Sequence, residues 1–379
     1  MDFNNIQFVI PCLFGLESFV KEELNELNIK VLEVADGRIT CEGGLHDIAR
    51  ANLSLRCAER VLIRLSRFKA ESFEDLYQGV KKIPFEDIIG KTDAFPVSGH
   101  SLRSKLASIP DCQKIIKKAI VDRLKTKYHI DWFEETGNKY SISFMIMKDM
   151  VDIMLDTSGE GLHKRGYREK GSEAPLKETL AAAIVKCSRY NGRDALFDPM
   201  CGSGTIAIEG AMIAANIAPG LKRRFAIEDF SFFDKKIMAD ERAAALDRIN
   251  KKEFTIFASD IDPDMAALTL HNAKLAGVER FLKVTVADVR NFKSDEEYGT
   301  IICNPPYGER LLDRERAEEL YKEMGKAFLP HIKWRFYIIT PDEYFERYFG
   351  KKADKKRKLY NGMMKCDLYQ YFKISKKEQ

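Results

Sequence analysis

The C-terminal half of the chain alternates short apolar runs with longer stretches of helical periodicity. The short runs predict strands buried on both faces, and the stretches between them carry apolar residues at helical spacing. Regular alternation of this kind predicts a parallel sheet that helices cover on both sides. The predicted strands cover residues 195–197, 255–260, 282–287, 300–303 and 336–339, and the predicted helices cover residues 206–215, 266–275 and 317–329.

The end of the chain departs from this alternation. Asn361-Gly362 stands between two β-rich runs, 358–360 and 363–372, and predicts an antiparallel hairpin. A parallel sheet that finishes in an antiparallel hairpin is typical of class I, Rossmann-like methyltransferases. We therefore predict an α/β fold whose C-terminal domain is a seven-stranded class I methyltransferase sheet.

The residues before the predicted parallel sheet, and one stretch within it, do not follow this strand–helix alternation. Residues up to about 155 predict mixed α+β structure in more than one small unit, and the polar, glycine-containing stretch 156–175 predicts a linker or an approach loop. The distance from Asp198 to Asp260 exceeds what one strand–helix–strand step needs. This excess predicts an insertion around residues 216–236.

Composition excludes several classes of protein. Hydrophobic and charged contents of 45% and 32% are those of a globular protein, and no apolar run approaches the roughly 18 to 20 residues that span a bilayer. The first residues lack a basic leader and a small-residue cleavage site, so we expect a cytoplasmic protein. The eight cysteines and six histidines are scattered without CxxC pairs, which predicts neither disulfides nor a metal site.

The local distribution of charge is more informative about binding partners than the net charge of +4. Between His100 and Ile130 lysine and arginine greatly outnumber aspartate, and such an excess is typical of a surface that binds a polyanion. A solvated helix face is the alternative for any single basic run. The predicted RNA-binding residues are Arg103, Lys105, Lys114, Lys117, Lys118 and Arg123.

A glycine-containing turn follows the first strand of the predicted parallel sheet. Glycines let the backbone approach a ligand, and the helix that follows presents free N–H groups. The sequence lacks the third glycine of a dinucleotide fingerprint and the lysine of a phosphate loop. A tight turn without a ligand is the alternative. The residues of the turn predicted to contact the cofactor are Asp198, Pro199, Cys201, Gly202, Ser203 and Gly204.

Four polar residues occupy four successive strand ends, where doubly wound sheets bind ligands. Asp198 suits the ammonium of a methionine moiety, and Asp260 suits two ribose hydroxyls, with Ile261 packed on an adenine face. Asp288 suits the adenine amino group, and Asn304 follows the fourth strand. This set predicts S-adenosylmethionine as the cofactor.

The fourth strand leads into Asn304-Pro305-Pro306-Tyr307, which we predict to be catalytic. The amino group of a nucleobase is a weak nucleophile because its lone pair is delocalised into the ring. The Asn304 side-chain oxygen and the Pro305 carbonyl can hold its two hydrogens, and Pro306 restricts the backbone direction. Tyr307 can stack on a base that has left its helix or loop. A Pro-Pro turn with a packed tyrosine is the alternative.

Taken in order, these motifs resemble class I N-methyltransferases. Residues 198–205 and 304–311 resemble the rRNA guanine-N2 methyltransferase family, and residues 163–168, 174–181 and 357–362 fit the same pattern. The resemblance implies that Lys177, Glu178 and Thr179 contact the cofactor from its other side.

The opening segment, residues 11–17, also resembles that family, which has a ferredoxin-like unit followed by a THUMP RNA-binding domain. The resemblance implies a ferredoxin-like domain at 1–65, a THUMP domain at 66–158 and a methyltransferase domain at 159–379, with a linker at 159–175.

The resulting hypothesis is methylation of a guanine N2 amino group in 23S rRNA. A tRNA guanine-N2 methyltransferase of the same plan is the nearest alternative. A DNA adenine-N6 methyltransferase and a non-catalytic RNA-binding or assembly factor are more distant ones. From the residues alone, guanine N2 and adenine N6 are not distinguished.

Overall fold

The computed structural model describes residues 3–168, 176–307 and 311–373. The chain divides into two compact units. The first comprises Met1–Cys12, Lys21–Leu162 and Arg224–Ala243, and the second comprises Leu13–Val20, His163–Arg223 and Ala244–Gln379.

The first unit contains one mixed seven-stranded sheet in the order β2-β3-β1-β4-β7-β6-β5, in which only β5 and β6 pair in parallel. Its strands are β1 Ile6–Pro11, β2 Lys30–Ala35, β3 Arg38–Gly43, β4 Leu62–Lys69, β5 Val97–Leu102, β6 Ile142–Met147 and β7 Met150–Asp156. The helices before residue 130 are α1 Glu17–Glu26, α2 Leu45–Ser54, α3 Phe73–Lys81 and α4 Ile109–Tyr128.

Local sequence signals account for the bounds of α3 and α4. Ser72 caps α3 by accepting from the Asp75 amide at 3.1 Å, and the Asp75 carboxylate accepts from the Ser72 amide at 3.0 Å. Pro110 stands in the first turn of α4, where its missing N–H costs no helical hydrogen bond. His129, with a φ of 55°, ends the helix in the left-handed region.

The second unit contains a seven-stranded sheet in the order β10-β9-β8-β11-β12-β14-β13. Five neighbouring strands are parallel, and β14 is antiparallel to both β12 and β13. The predicted class I methyltransferase sheet with its terminal hairpin is thereby confirmed. The strands are β8 Ala195–Asp198, β9 Ile256–Asp260, β10 Leu282–Val286, β11 Gly299–Cys303, β12 Arg335–Thr340, β13 Lys355–Asn361 and β14 Met364–Tyr371. The remaining helices are α5 Glu178–Ser188, α6 Thr205–Ala214, α7 Lys235–Asp247, α8 Pro263–Ala276, α9 Leu311–Phe328 and α10 Phe345–Phe349.

The hairpin turn lies one residue later than predicted. Asn361 pairs with Met364, so Gly362 and Met363 form the two-residue turn. Gly362 adopts a φ of 64°, which glycine tolerates without steric cost. The glycine therefore takes the first central position, and Asn361 remains in the strand.

The predicted insertion contains structure that the pattern did not reveal. A 3₁₀ turn at Ala226–Asp229 and the start of α7 follow residue 223. Residues 224–243 belong to the first unit, where Arg50 donates to both Glu241 carboxylate oxygens at 3.0 Å. Residues 224–243, which overlap the predicted insertion from 224 to 236, thus pack within the first unit, although the chain on both sides of them belongs to the second.

A segment near the start of the chain belongs to the second unit. Within that unit, Arg357 Nη2 on β13 donates to the Gly15 carbonyl at 2.9 Å and to Ser18 Oγ at 3.0 Å. The same guanidinium lies 4.4 Å from the centre of the Phe19 ring, within cation–π range. Two of the motifs that carry the family resemblance, residues 11–17 and 357–362, therefore meet in space.

An aromatic core supports the central strands of the second sheet. Phe197 of β8 stacks on Phe257 of β9 with ring centroids 4.5 Å apart, and Trp334 and Phe292 contact the same ring of Phe197. Close packing of large side chains lets the strand ends hold fixed positions.

Candidate active site

The predicted strand-end residues lie along one edge of the second sheet. Asp198 ends β8, Asp260 ends β9, Asp288 follows β10 by two residues and Asn304 directly follows β11. These strands are parallel neighbours, so their carboxyl ends meet at the same edge in the order Asp288, Asp260, Asp198, Asn304. This edge is where open α/β sheets bind ligands.

Two residues of the neighbouring strand β9 accept hydrogen bonds from the turn between β8 and α6. The Gly202 amide donates to Asp260 Oδ2 at 2.8 Å, and the Cys201 amide donates to the Ser259 carbonyl at 2.9 Å. Gly202 and Gly204 have φ values of 51° and 81°. A Cβ on Gly204 would lie 2.7 Å from Thr269 Cγ2, whereas a Cβ on Gly202 would meet nothing within 4 Å. Gly204 permits close packing, and Gly202 leaves open space in front of the turn.

Helix α8 supplies two side chains that fix the turn, and sequence reasoning missed both. Thr269 Oγ1 donates to the Gly202 carbonyl at 2.8 Å, and Asn272 Nδ2 donates to the Ser203 carbonyl at 2.9 Å. Both side chains are buried. They stand one helical turn apart, so polar residues at i and i+3 on an otherwise apolar helix face were the available signal.

Asp198 is buried with only 1% of its surface exposed. Burial, and secondarily the negative charge of Asp260, raises the pKa of Asp198 to about 8, although the Met200 and Ala207 amides oppose this. Its Oδ1 has no hydrogen-bond partner among the described residues. A buried carboxylate oxygen without a donor fits a cationic ligand group, as the predicted contact with the ammonium of S-adenosylmethionine requires.

Asp260, predicted to bind a ribose, ends β9, and Ile261, predicted to pack on an adenine, directly follows it. Each oxygen of the half-buried Asp260 accepts one backbone amide, from Gly202 at 2.8 Å and from Asp262 at 3.0 Å. A carboxylate has about four lone-pair sites, so both oxygens retain capacity for hydroxyl donors. Ile261 is 63% exposed, and a flat ligand could cover its apolar surface.

Asp288, predicted to accept the adenine amino group, binds the Arg290 guanidinium in the structure. Arg290 Nε lies 2.8 Å from Asp288 Oδ2 and 3.0 Å from Oδ1, and this guanidinium lowers the pKa of Asp288. The predicted adenine acceptor therefore already holds a charged donor. Asp288 also lines a cavity of ≈ 460 Å³, with Pro199 and Phe257 among the other lining residues.

The Asn-Pro-Pro-Tyr segment follows a strand that is buried throughout. Asn304 and Tyr307 are half-buried, Pro305 is buried and Pro306 is exposed. Residues 308–310, the continuation of this motif, lie outside the described residues, as do residues 169–175. The neighbouring thiols are unsuited to nucleophilic attack, because burial raises the pKa values of Cys303 and Cys201 far from neutrality.

The segment 163–168 forms buried ion pairs with α5 and α6. Arg165 Nε lies 3.2 Å from Glu209 Oε1, and the Tyr167 hydroxyl donates to the same oxygen at 3.2 Å. Arg168 Nη2 lies 2.7 Å from Glu178 Oε1, and its Nη1 donates to Thr205 Oγ1 at 3.4 Å.

Of the residues predicted on the other side of the cofactor, Lys177 is half-buried, Glu178 and Thr179 are buried, and Glu178 Oε2 has no hydrogen-bond partner within the described chain. Burial raises the pKa of Glu178, against the opposing charge of Arg168. Arg168, which pairs with Glu178, also donates to Thr205, beside Ser203 of the cofactor turn.

The six predicted RNA-binding residues lie in the first unit, in α4 and in the loop before it. Three of them bind carboxylates there: Lys105 pairs with Glu71, Lys117 with Glu135 and Arg123 with Glu86. Lys114 lies 3.8 Å from Asp111, whereas the exposed Arg103 and Lys118 have no ion pair within the described ranges. Arg123 and Lys105 hold the pKa values of Glu86 and Glu71 at about 2. Much of the charge that the sequence displays is therefore compensated locally.

Comparison with known families matches three consecutive stretches of the chain. Residues 165–370 match the RMKL-like methyltransferase domain, residues 7–62 the RlmL ferredoxin-like domain and residues 70–156 the THUMP domain. The chain belongs to the RMKL-like methyltransferase family. The resemblance stated from the motifs is confirmed, and so is the presence of ferredoxin-like and THUMP domains.

Individual relatives agree with this assignment. YpsC of Bacillus subtilis strain 168, named "Putative RNA methyltransferase", is 44% identical over 361 residues, 94% of each chain. The "Ribosomal RNA large subunit methyltransferase K/L" of Psychromonas ingrahamii is 36% identical over 380 residues, 97% of this chain and 50% of the relative. This RMKL-like chain thus spans about half the length of the K/L relative.

A solved structure identifies the cofactor. SMU.472 complexed with SAH is 40% identical, with a TM-score of 0.91 over 98% of this chain and 99% of that one. S-adenosylmethionine is the cofactor of this RMKL-like methyltransferase, as predicted. Within the described ranges, no helix is both long and apolar enough to span a bilayer, and no three potential metal ligands cluster.

Proposed function

We propose that this chain transfers a methyl group to the exocyclic N2 amino group of a guanine in 23S rRNA. The observation that carries the proposal is the position of Asn304-Pro305-Pro306-Tyr307 at the end of β11. Strand β11 pairs directly with β8, which ends at the buried Asp198. An amino-group binding motif and a cofactor carboxylate thereby come from adjacent strands.

The residues divide the work between binding and orientation. Asp198, Asp260 and the turn 199–204 would hold S-adenosylmethionine, which supplies an electrophilic methyl group on its sulfonium. Asn304 Oδ1 and the Pro305 carbonyl accept the two hydrogens of the base amino group and aim its lone pair. The half-buried Tyr307 offers a ring on which the extruded base stacks. Most of the rate gain comes from this orientation, because the amine loses its proton only as or after the methyl group transfers.

Three observations support RNA over DNA as the substrate, whereas guanine N2 rests on the resemblance of residues 198–205 and 304–311 to the rRNA guanine-N2 methyltransferase family. The THUMP match places a domain of an RNA-binding family before the catalytic domain. The K/L relative is named for methylation of large-subunit ribosomal RNA. The motif order, with the cofactor turn before Asn-Pro-Pro-Tyr, is the reverse of one large group of DNA amino-methyltransferases.

Methyl transfer to fractionated RNA tests the proposal. RNA from a strain that lacks this gene is separated into 23S, 16S and tRNA fractions, incubated with the protein and tritiated S-adenosylmethionine, and digested to nucleosides. We expect label in N2-methylguanosine from 23S rRNA. Label in N6-methyladenosine would overturn the guanine assignment, label confined to tRNA would overturn the rRNA assignment, and no label in any fraction would overturn the activity.

A further inference from the structure

One face of the first sheet is concave. Arg38 on β3 and Met145 on β6 stand four strands apart in the sheet order, which is about 19 Å in a flat sheet. Yet Arg38 Nη1 lies 3.3 Å from Met145 Sδ and 3.5 Å from Met147 Sδ. An arginine side chain cannot span the flat distance, so the sheet curls toward this face. We call it the concave face and define it by Arg38, Arg64, Arg67, His100, Met145 and Met147.

Helix α3 packs against the opposite face of this sheet. Phe68 on β4 packs directly beneath Gly79 of α3, and its neighbour Arg67 points to the opposite side of the sheet. The floor of the concave face is apolar and buried, formed by Val9, Leu62, Met145 and Met154 with Met147 packed against them. Arg67 and His100 remain exposed at its surface.

Three guanidinium groups crowd this face. Arg64 Nε lies 2.8 Å from Asp152 Oδ1, and Arg67 lies 4.0 Å from the same oxygen and 4.0 Å from Glu33. Burial lowers the pKa of Arg64, and the positive charges of Arg67 and Arg38 lower it further against the pull of Asp152. Three guanidinium groups, those of Arg38, Arg64 and Arg67, thus stand beside two carboxylates, those of Asp152 and Glu33.

Arg38 has the weakest partners of the three. Its hydrogen bonds go to thioether sulfur atoms, which are weak acceptors, and no carboxylate pairs with it among the described residues. A guanidinium placed over methionine sulfur retains its capacity to bind an anion. This contrasts with the basic residues of α4 and its preceding loop, several of which are already paired with glutamates.

We propose that the concave face is where this protein holds its RNA substrate. Guanidinium forks match phosphate oxygens bidentately and also stack on bases. The partly exposed Met147, beside Arg38, offers an adaptable apolar contact for an unpaired base. Together they fit a single-stranded or looped RNA segment. The inference rests on the proposed RNA methylation and moves the predicted RNA surface from α4 to the opposite side of the sheet.

Two variants with equal loss of charge test the proposal. The concave-face variant is R38Q/R67Q, and the control on α4 is K114Q/K118Q. The probe is full-length 23S rRNA transcript, and its Kd is measured by filter binding over a series of KCl concentrations. We expect R38Q/R67Q to weaken binding about tenfold or more at low salt and to reduce the slope of log Kd against log salt by between one and two. The control should change neither substantially.

Further measurements separate binding from folding and from catalysis. R38K/R67K restores the charges, and we expect it to recover most of the salt slope. Methyl transfer by R38Q/R67Q should show a raised KM for RNA with kcat and SAH affinity unchanged. If K114Q/K118Q lost RNA binding and R38Q/R67Q did not, the proposal would be overturned. It would also be overturned if the parent protein formed a dimer through the concave face and R38Q/R67Q were a monomer. If R38Q/R67Q methylated RNA normally, the concave face would not be the RNA-binding surface, but the proposed methylation would still hold. If the parent protein bound RNA through the concave face and did not methylate it, only the proposed methylation would be refuted.

Discussion

The hydroxyl of Thr269 donates to the carbonyl of Gly202 at 2.8 Å and ties α8 to the cofactor turn. The same side chain occupies the space that a Cβ on Gly204 would need. One buried threonine therefore fixes the path of the turn by a hydrogen bond and by steric contact. The turn is shaped by a helix that begins more than fifty residues later in the chain.

Thr269→Val tests this role. The substitution keeps the volume and removes the donor, so the Gly202 carbonyl loses its partner at a cost of about 1 kcal/mol or more. We expect SAH affinity, measured by calorimetry, to fall about tenfold. Thr269→Ser retains the hydroxyl and should bind SAH more tightly than the valine variant. Equal affinities of the parent and Thr269→Val would contradict the role.

Asp198 predicts a pH dependence of cofactor binding. Its pKa of about 8 means that the cofactor-free protein carries a proton there at neutral pH, and a cationic ligand must displace it. SAH and S-adenosylmethionine affinity should therefore rise as pH increases toward 8, with proton release that calorimetry detects in buffers of different ionisation enthalpy. Asp198→Asn should lose about 10- to 100-fold in affinity and flatten the pH profile, since a charged hydrogen bond contributes about 1.5–3 kcal/mol.

The same pKa predicts how stability changes with pH. The folded pKa lies above the usual 3.8, so the folded chain keeps a proton that the unfolded chain releases. This contribution is fully present below about pH 4 and is lost as pH rises through about 8. Unfolding of the cofactor-free protein by urea at several pH values, compared with Asp198→Asn, isolates it. A parent whose stability follows that of the variant across this range would contradict the burial argument.

Asn304→Ala should remove catalysis while preserving the cofactor site. The variant loses the oxygen that orients the amino group, and we expect kcat to fall about 100-fold or more because orientation carries the rate. SAH affinity should remain close to that of the parent. Asn304→Asp keeps an oxygen acceptor and should retain more activity than the alanine variant. A large loss of SAH affinity in Asn304→Ala would instead assign the residue a structural role.

The buried pair of Arg165 and Glu209 predicts a large loss of stability. Both side chains are almost fully buried, and Tyr167 donates to the same carboxylate. Glu209→Ala removes the carboxylate that pairs with the buried Arg165 guanidinium, so the free energy of unfolding should fall by about 3–5 kcal/mol. Lys322→Ala, which breaks the exposed pair with Glu319, should cost less than about 1 kcal/mol. Similar losses in the two variants, measured by chemical denaturation, would contradict the contribution of burial.

The sequence by itself determined the class of the catalytic domain and the polar residues that stand at the ends of its parallel strands. Apolar runs and turn residues are local signals, and they predicted the order along the chain of the strands that form the second sheet. Because parallel strands end at one edge, Asp198, Asp260 and Asn304 could be grouped before their coordinates were known. The motifs around them were enough to predict the family and the cofactor.

Tertiary structure alone decided which groups surround those residues. Thr269 of α8 donates a hydrogen bond to the cofactor turn, and Arg290 binds the Asp288 carboxylate. Arg38 contacts Met145 across the curled first sheet. Residues 224–243 fasten onto the first unit, although the chain on either side belongs to the second. These contacts form because folding brings the side chains close together in space. The periodic pattern of residues along the chain does not encode that proximity. For the same reason, Lys117 and Arg123 of α4 looked unpaired in the sequence until the folded chain brought Glu135 and Glu86 beside them.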